Sequence, residues 1–174
     1  MPRRLDHHVK DVDEDDLSQE KPQGKPSMED ARTYTLLEDI ARRENRSLLQ
    51  YVRDSYPWIT PDERQVLAQI QAMTAEEQQG VADLVQFLIS RRRPPPYLGM
   101  FPASFTSLSF VSLDHLIPML AAYERQELEK LQGEITEITD PAAKELVQKI
   151  MANKTRHLER LQSLAANHSQ SAVA

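Results

Sequence analysis

A chain of 174 residues with 40% hydrophobic and 28% charged side chains holds one compact domain with tails, not two independent cores. With no cysteine it has no disulfide framework, no thiolate catalysis and no sulfur-built metal site, and its composition fits a reducing compartment. Its 4 glycines leave little material for phosphate-cradling loops, and a formal charge of −6 argues against general affinity for nucleic-acid phosphates.

Residues 1–26 carry two prolines, one glycine and an acidic run from Asp11 to Asp16, the composition of a disordered arm. No long apolar stretch follows the early arginines, so no secretory signal and no membrane span are expected, and the chain reads as cytoplasmic. His7 and His8 sit together in that arm, where unstructured chain does not fix a coordination geometry. A first helix is predicted from a Ser27 cap to about Asp54, with Leu37, Ile40, Ala41, Leu48, Tyr51 and Val52 as its apolar stripe. Thr60-Pro61-Asp62-Glu63 combines a cap, a proline and a capping-box acid, and opens a short extra helix near 61–72. Thr74-Ala75-Glu76-Glu77 repeats that grammar and opens a second long helix with Val81, Leu84, Val85 and Leu88. It ends in Arg91-Arg92-Arg93 before Pro94-Pro95-Pro96.

Residues 94–112 show no helical period and no charge, yet hold Phe101, Phe105 and Phe110, so this segment should pack on the domain. A third long helix follows a Ser112 cap, with a kink or a separate first turn expected at Pro118. Asp140-Pro141 opens a fourth, whose stripe ends at Leu164, and residues 166–174 read as a disordered tail. The fold expected for 27–165 is all-α, an antiparallel four-helix bundle. The segment 94–112 reaches up to roughly 60 Å. A 24-residue helix is only roughly 36 Å long. The crossover can therefore traverse the bundle, giving an up-down-down-up order, with a simple up-and-down bundle as the alternative.

Ionisable residues interrupt the stripes. Glu44 faces inward between Ala41 and Leu48, Glu124 falls between Leu120 and Leu128 with Glu127 on its flank, and Lys154 and His157 lie between Ile150 and Leu161. All five fall near the middle of their helices, so an antiparallel bundle brings them into one layer.

With Tyr123-Glu124-Arg125-Gln126-Glu127, Lys154-Thr155-Arg156-His157 and the long second crossover, residues 28–165 resemble a ferritin-like four-helix bundle. The resemblance implies that Glu44, Glu124 and His157 occupy metal-ligand positions. It also exposes departures: Lys154 stands where the glutamate of a Glu-x-x-His pair belongs, and the second helix offers Leu84, Val85 and Leu88 in place of its ligands.

Two further readings of the residues themselves stay open. In one, Glu44, Glu124, Glu127, Lys154 and His157 form a buried ionic network with no cofactor, or helix rotation puts Glu44 or Lys154 at the rim with its head in water. In the other, Glu44, Glu124, Glu127 and His157 bind a single Fe or Mn ion. The functional expectation is a non-catalytic bundle that binds a protein partner or a second copy, using neither nucleic acid nor membrane. The alternative is a ferritin-like metal protein or oxidoreductase. Trp58, Phe101, Phe105 and Phe110 are the candidate interaction surface, although Trp58 reads first as a plug closing the end of the bundle.

Overall fold

A computed structural model describes residues 28–171. The expected acidic arm, the Ser27 cap and the last three residues of the tail lie outside the described residues. Those described form an all-helical domain of four long helices and one short one: α1 (Met28–Asn45), α2 (Leu48–Ser55), α3 (Arg64–Ser90), α4 (Leu113–Glu134) and α5 (Pro141–Ser171).

The expected first helix is two helices. The chain turns at Arg46 and Ser47, whose amides reach back only three residues, to the carbonyls of Arg43 and Glu44. Ser47 then adopts an extended backbone and caps α2, its hydroxyl accepting from the Gln50 amide. The short helix is thus α2, and residues 61–72 are not a separate element. Pro61–Glu63 form one 3₁₀ turn in which the Glu63 carboxylate accepts from the Thr60 amide at 2.6 Å, and α3 runs on unbroken. Thr74 opens no helix. Its hydroxyl lies 3.1 Å from the carbonyls of both Ile70 and Leu49, so its side chain ties α3 to α2 from within α3. α4 is continuous through Pro118, with no separate first turn. α5 continues to Ser171, past the last apolar residue of its stripe.

The apolar stripes gather in two clusters. One joins Leu49 and Tyr51 of α2, Ile70 and Met73 of α3, Leu116 and Leu120 of α4 and Leu161 of α5. The other joins Leu37 and Ile40 of α1, Leu84 and Leu88 of α3, Leu131 following the middle of α4, and Val147 and Ile150 of α5. A polar stretch separates the two: Glu44 and Ser47 where α1 gives way to α2, Thr74 and Glu77 within α3, Glu124 and Glu127 within α4, and Lys154 and His157 within α5, all buried. Burying so many polar groups is tolerable only where they satisfy one another.

α3 ends as its arginines require. Arg92 takes a left-handed conformation at φ 58°, and the Arg93 amide bonds the Leu88 carbonyl at 2.9 Å, closing the last turn. The segment that follows packs on both clusters. Leu98 touches the second, Phe101 and Phe105 the first, and Arg42 of α1 donates to the Tyr97 carbonyl. None of the described helices is long and apolar enough to cross a membrane.

Candidate functional site

The polar stretches meet around Lys154. Its ammonium lies 2.8 Å from Glu44 Oε2, 2.8 Å from Glu77 Oε1 and 3.2 Å from Glu124 Oε1, so each of α1, α3 and α4 supplies one carboxylate to a cation carried by α5. Lys154 is 1% exposed and the three acids are equally enclosed. An ammonium has three protons to donate, and three carboxylates face it.

The three acids are not equivalent. Glu77 is the best held: beside the lysine it accepts from Ser47 Oγ at 2.6 Å and from Gln50 Nε2 at 2.8 Å. Burial pushes its pKa up, but Lys154 and these donors outweigh it and hold the carboxyl below its usual range. Glu44 is the least held, because neither of its oxygens makes a hydrogen bond of ordinary geometry. Burial raises its pKa to about 8, against the pull of Lys154 and with the help of Glu77 and Glu124. Lys154, which burial alone would neutralise, is held well above its usual value by Glu77, Glu44 and Glu124. One ammonium does not balance three carboxylates, and the acid with the poorest hydrogen bonding, Glu44, is the one whose pKa burial raises.

His157, one turn beyond Lys154, is fully enclosed. Its Nε2 lies 3.2 Å from Glu76 Oε2 at the rim, and its Nδ1, 3.8 Å from Glu124 Oε2, has no hydrogen-bond partner. Glu76 also meets Arg156 and Arg160. Burial raises the Glu76 pKa, but His157 and Arg156 prevail and hold it low. Between these groups and Gly80 there is a void of about 10 Å³, the space of roughly one water molecule. Gly80 stands against α5, where a Cβ would come within 3.1 Å of Ile150 Cγ1.

Four of the five residues expected in the polar layer, Glu44, Glu124, Lys154 and His157, therefore come together, and the fifth does not join them. Glu127 turns to Arg43 Nε and Lys130 Nζ, each at 2.6 Å, while Arg43 also grips Glu134 with two further nitrogens at 2.8 and 2.6 Å. The unexpected member is Glu77. The alternative Fe or Mn set of Glu44, Glu124, Glu127 and His157 is not gathered, because Glu127 points elsewhere. Three carboxylates, donors of the kind that hard metals take, do converge on one point, but that point is filled by the Lys154 ammonium, so as arranged they do not fit a metal ion. Among the described residues no group of three or more His, Asp or Glu side chains is placed to hold one.

The four aromatic residues expected at the surface divide. Phe101 and Phe105 are half-buried against Tyr51, at centroid distances of 5.3 and 5.6 Å, and belong to the first cluster. Trp58 is 75% exposed and Phe110 69%, so Trp58 does not plug the bundle. The Trp58 amide donates to the Val111 carbonyl at 2.9 Å, and it is the next residue, Ile59, that packs on the first cluster. Successive side chains of extended backbone point opposite ways, so burying Ile59 turns the indole out. Tyr56, also 69% exposed and stacked on Phe110, completes an outward aromatic group that the sequence reading did not include.

No protein family, no curated protein and no solved structure matches this chain.

Proposed function

We propose that this chain is a ferritin-like bundle whose cation site is filled by its own lysine, and that it works without catalysis, by binding a protein partner or a second copy, in the reducing cytoplasm that its lack of cysteine suits. The proposed order is up-down-down-up, with the segment between α3 and α4 as the long crossover. The contact register supports this. α1 and α2 run against α3, since Glu38 pairs with Arg93 while Ser47 bonds Glu77. α3 runs against α5, with Arg91 on Asp140, Asp83 on Lys149 and Glu76 on His157. α1 runs along α5, from Thr33 beside Thr139 to Glu44 beside Lys154. The resemblance gains a member in Glu77, which supplies the carboxylate of the second helix, with Gly80 three residues on where the family pattern has histidine.

The observation that carries the proposal is the position of Lys154 Nζ among Glu44, Glu77 and Glu124 with about 10 Å³ left beside it. No substrate fits there, and a second cation would meet the first. Protein purified from a culture rich in Fe and Mn should carry well under one metal ion per chain and show no ferroxidase turnover. Stoichiometric metal that is lost on His157→Ala would overturn the proposal.

A further inference from the structure

We propose that the void beside Gly80 is a binding site for one ordered water molecule, which hydrogen-bonds Glu44 and His157 and completes the polar layer around Lys154. This rests on the lysine-filled site proposed above and adds to it a member that the chain does not itself supply.

Among the described residues, five buried side-chain atoms make no hydrogen bond of ordinary geometry: Arg43 Nε, Glu127 Oε2, both oxygens of Glu44 and His157 Nδ1. The first two lie 2.6 Å apart and answer one another as an ion pair. The other three belong to two residues, and both of those residues line the same void. A buried polar group without a protein partner is costly, and an internal water is the usual answer where there is room for it. Here the void measures about 10 Å³, roughly the space one water needs, and Glu77, Asn153 and Lys154 share its wall with Glu44 and His157.

The chemistry of the orphaned atoms selects the occupant. His157 Nε2 lies 3.2 Å from Glu76 Oε2, which accepts its proton, so in the neutral imidazole Nδ1 is left as an acceptor. Glu124 Oε2, 3.8 Å from Nδ1, is too far for a hydrogen bond and is an acceptor as well. The Glu44 carboxylate also accepts. Water has two protons to give and so can join Glu44 to His157, while its oxygen can take a proton from the Asn153 amide, whose own oxygen is engaged by Arg156 at 2.7 Å. A cation in the same place would meet the Lys154 ammonium, an anion would meet the carboxylates, and an apolar occupant would leave the orphaned atoms unanswered. Gly80 keeps the room open. It lies inside α3, where glycine stabilises a helix less than alanine does, and a Cβ there would come within 3.1 Å of Ile150 Cγ1, which lines the same void.

The experiment uses the full chain in solution, with water itself as the probe. Water-to-protein NOEs at the Gly80 α protons, which do not exchange with solvent, should carry the sign of a long-lived contact. Oxygen-17 relaxation dispersion counts long-lived internal waters in the same sample. Gly80→Ala should lose the dispersion amplitude of one water molecule, whereas Gly133→Ala, where a Cβ meets nothing within 4 Å, should keep all of it. A Gly80→Ala dispersion equal to that of wild type, or wild-type Gly80 α protons without a long-lived contact to water, would overturn the proposal. The second measurement needs no variant, so it decides even if Gly80→Ala fails to fold. Metal analysis of the same samples keeps the two readings apart: metal-free protein without the buried water sinks the water site alone, and protein with stoichiometric metal sinks the lysine-filled reading on which it rests.

Discussion

Lys154 and Trp58 invert the usual sorting of residues. The most water-loving side chain of the pair is 1% exposed and the most apolar is 75% exposed. The difference lies in where each is compensated. Lys154 has three carboxylates within 3.2 Å, supplied by three other helices, so its desolvation is answered inside the chain. Tyr56 and Phe110 stack on each other from left-handed backbone, and among the described residues these two rings and Trp58 stay more than two-thirds exposed. A buried charge that is partnered explains its own position, whereas the exposed aromatic group finds no such answer among the described residues.

The contrast is broken most directly at the lysine. Lys154→Met removes the cation and leaves Glu44, Glu77 and Glu124 facing one another, and should cost about 3–5 kcal/mol at neutral pH. The loss should shrink on acidification, because acids without their partner have raised pKa values and take up protons as pH falls, relieving their repulsion. Urea unfolding at pH 7 and pH 5 checks both points, and coincident curves at pH 7 would mean that the lysine head lies in water.

A smaller effect, of opposite sign, is expected at Glu44. Its folded pKa of about 8 lies above the usual 4.5, so the folded state binds a proton that the unfolded chain has released between those values. The stability from this group is therefore complete below pH 4.5, declines as pH rises towards 8, and is gone above it. Glu44→Gln mimics the protonated acid. It should match wild type in mild acid, flatten that decline, and exceed wild-type stability at pH 9 by roughly 2 kcal/mol, once the nominal linkage is discounted for relaxation of the site. Thermal unfolding across that pH range reads the crossover, and a variant weaker than wild type at pH 9 would show that Glu44 is ionised and bonded throughout.

At the aromatic face the expected change is smaller still. Tyr56→Gly removes a mostly exposed ring and relieves a left-handed backbone costing about 1 kcal/mol, so the monomer should gain up to about that much stability. Loss of monomer stability by more than about 1 kcal/mol would show that the ring serves the fold and not a partner.

Much of the polar layer was legible in the sequence, for one reason. Glu44, Glu124, Lys154 and His157 each interrupt an apolar stripe at helical spacing, and a continuous stripe has only one side to bury. Glu77 was hidden by the same kind of reasoning applied locally. Thr74-Ala75-Glu76-Glu77 has the letters of a helix start, but Ile70, Met73, Glu77, Val81, Leu84 and Leu88 continue one stripe across it, and that longer period was the available signal. The break after Asn45 was equally hidden, because Ser47 caps α2 only in a geometry that also brings its hydroxyl to Glu77, a residue 30 positions away. Glu127 shows the limit of spacing as a guide: three positions along α4, less than one turn, separate the acid that meets Lys154 of α5 from the one that meets Arg43 of α1. The outward turn of Trp58 depends on its pairing with Val111, which no local pattern announces.

The lysine contact also bears on time. Lys154 meets Glu124 across 30 residues of chain and Glu77 across 77, and Glu44 lies farther still. Closing such loops costs entropy before the contact returns anything, so a bond that needs all four long helices in place belongs to the last stage of assembly. Interactions that form after the folding barrier leave the rate of folding almost untouched and slow the rate of opening. The central ammonium thus acts as a latch, lengthening the lifetime of the closed bundle without hastening its formation.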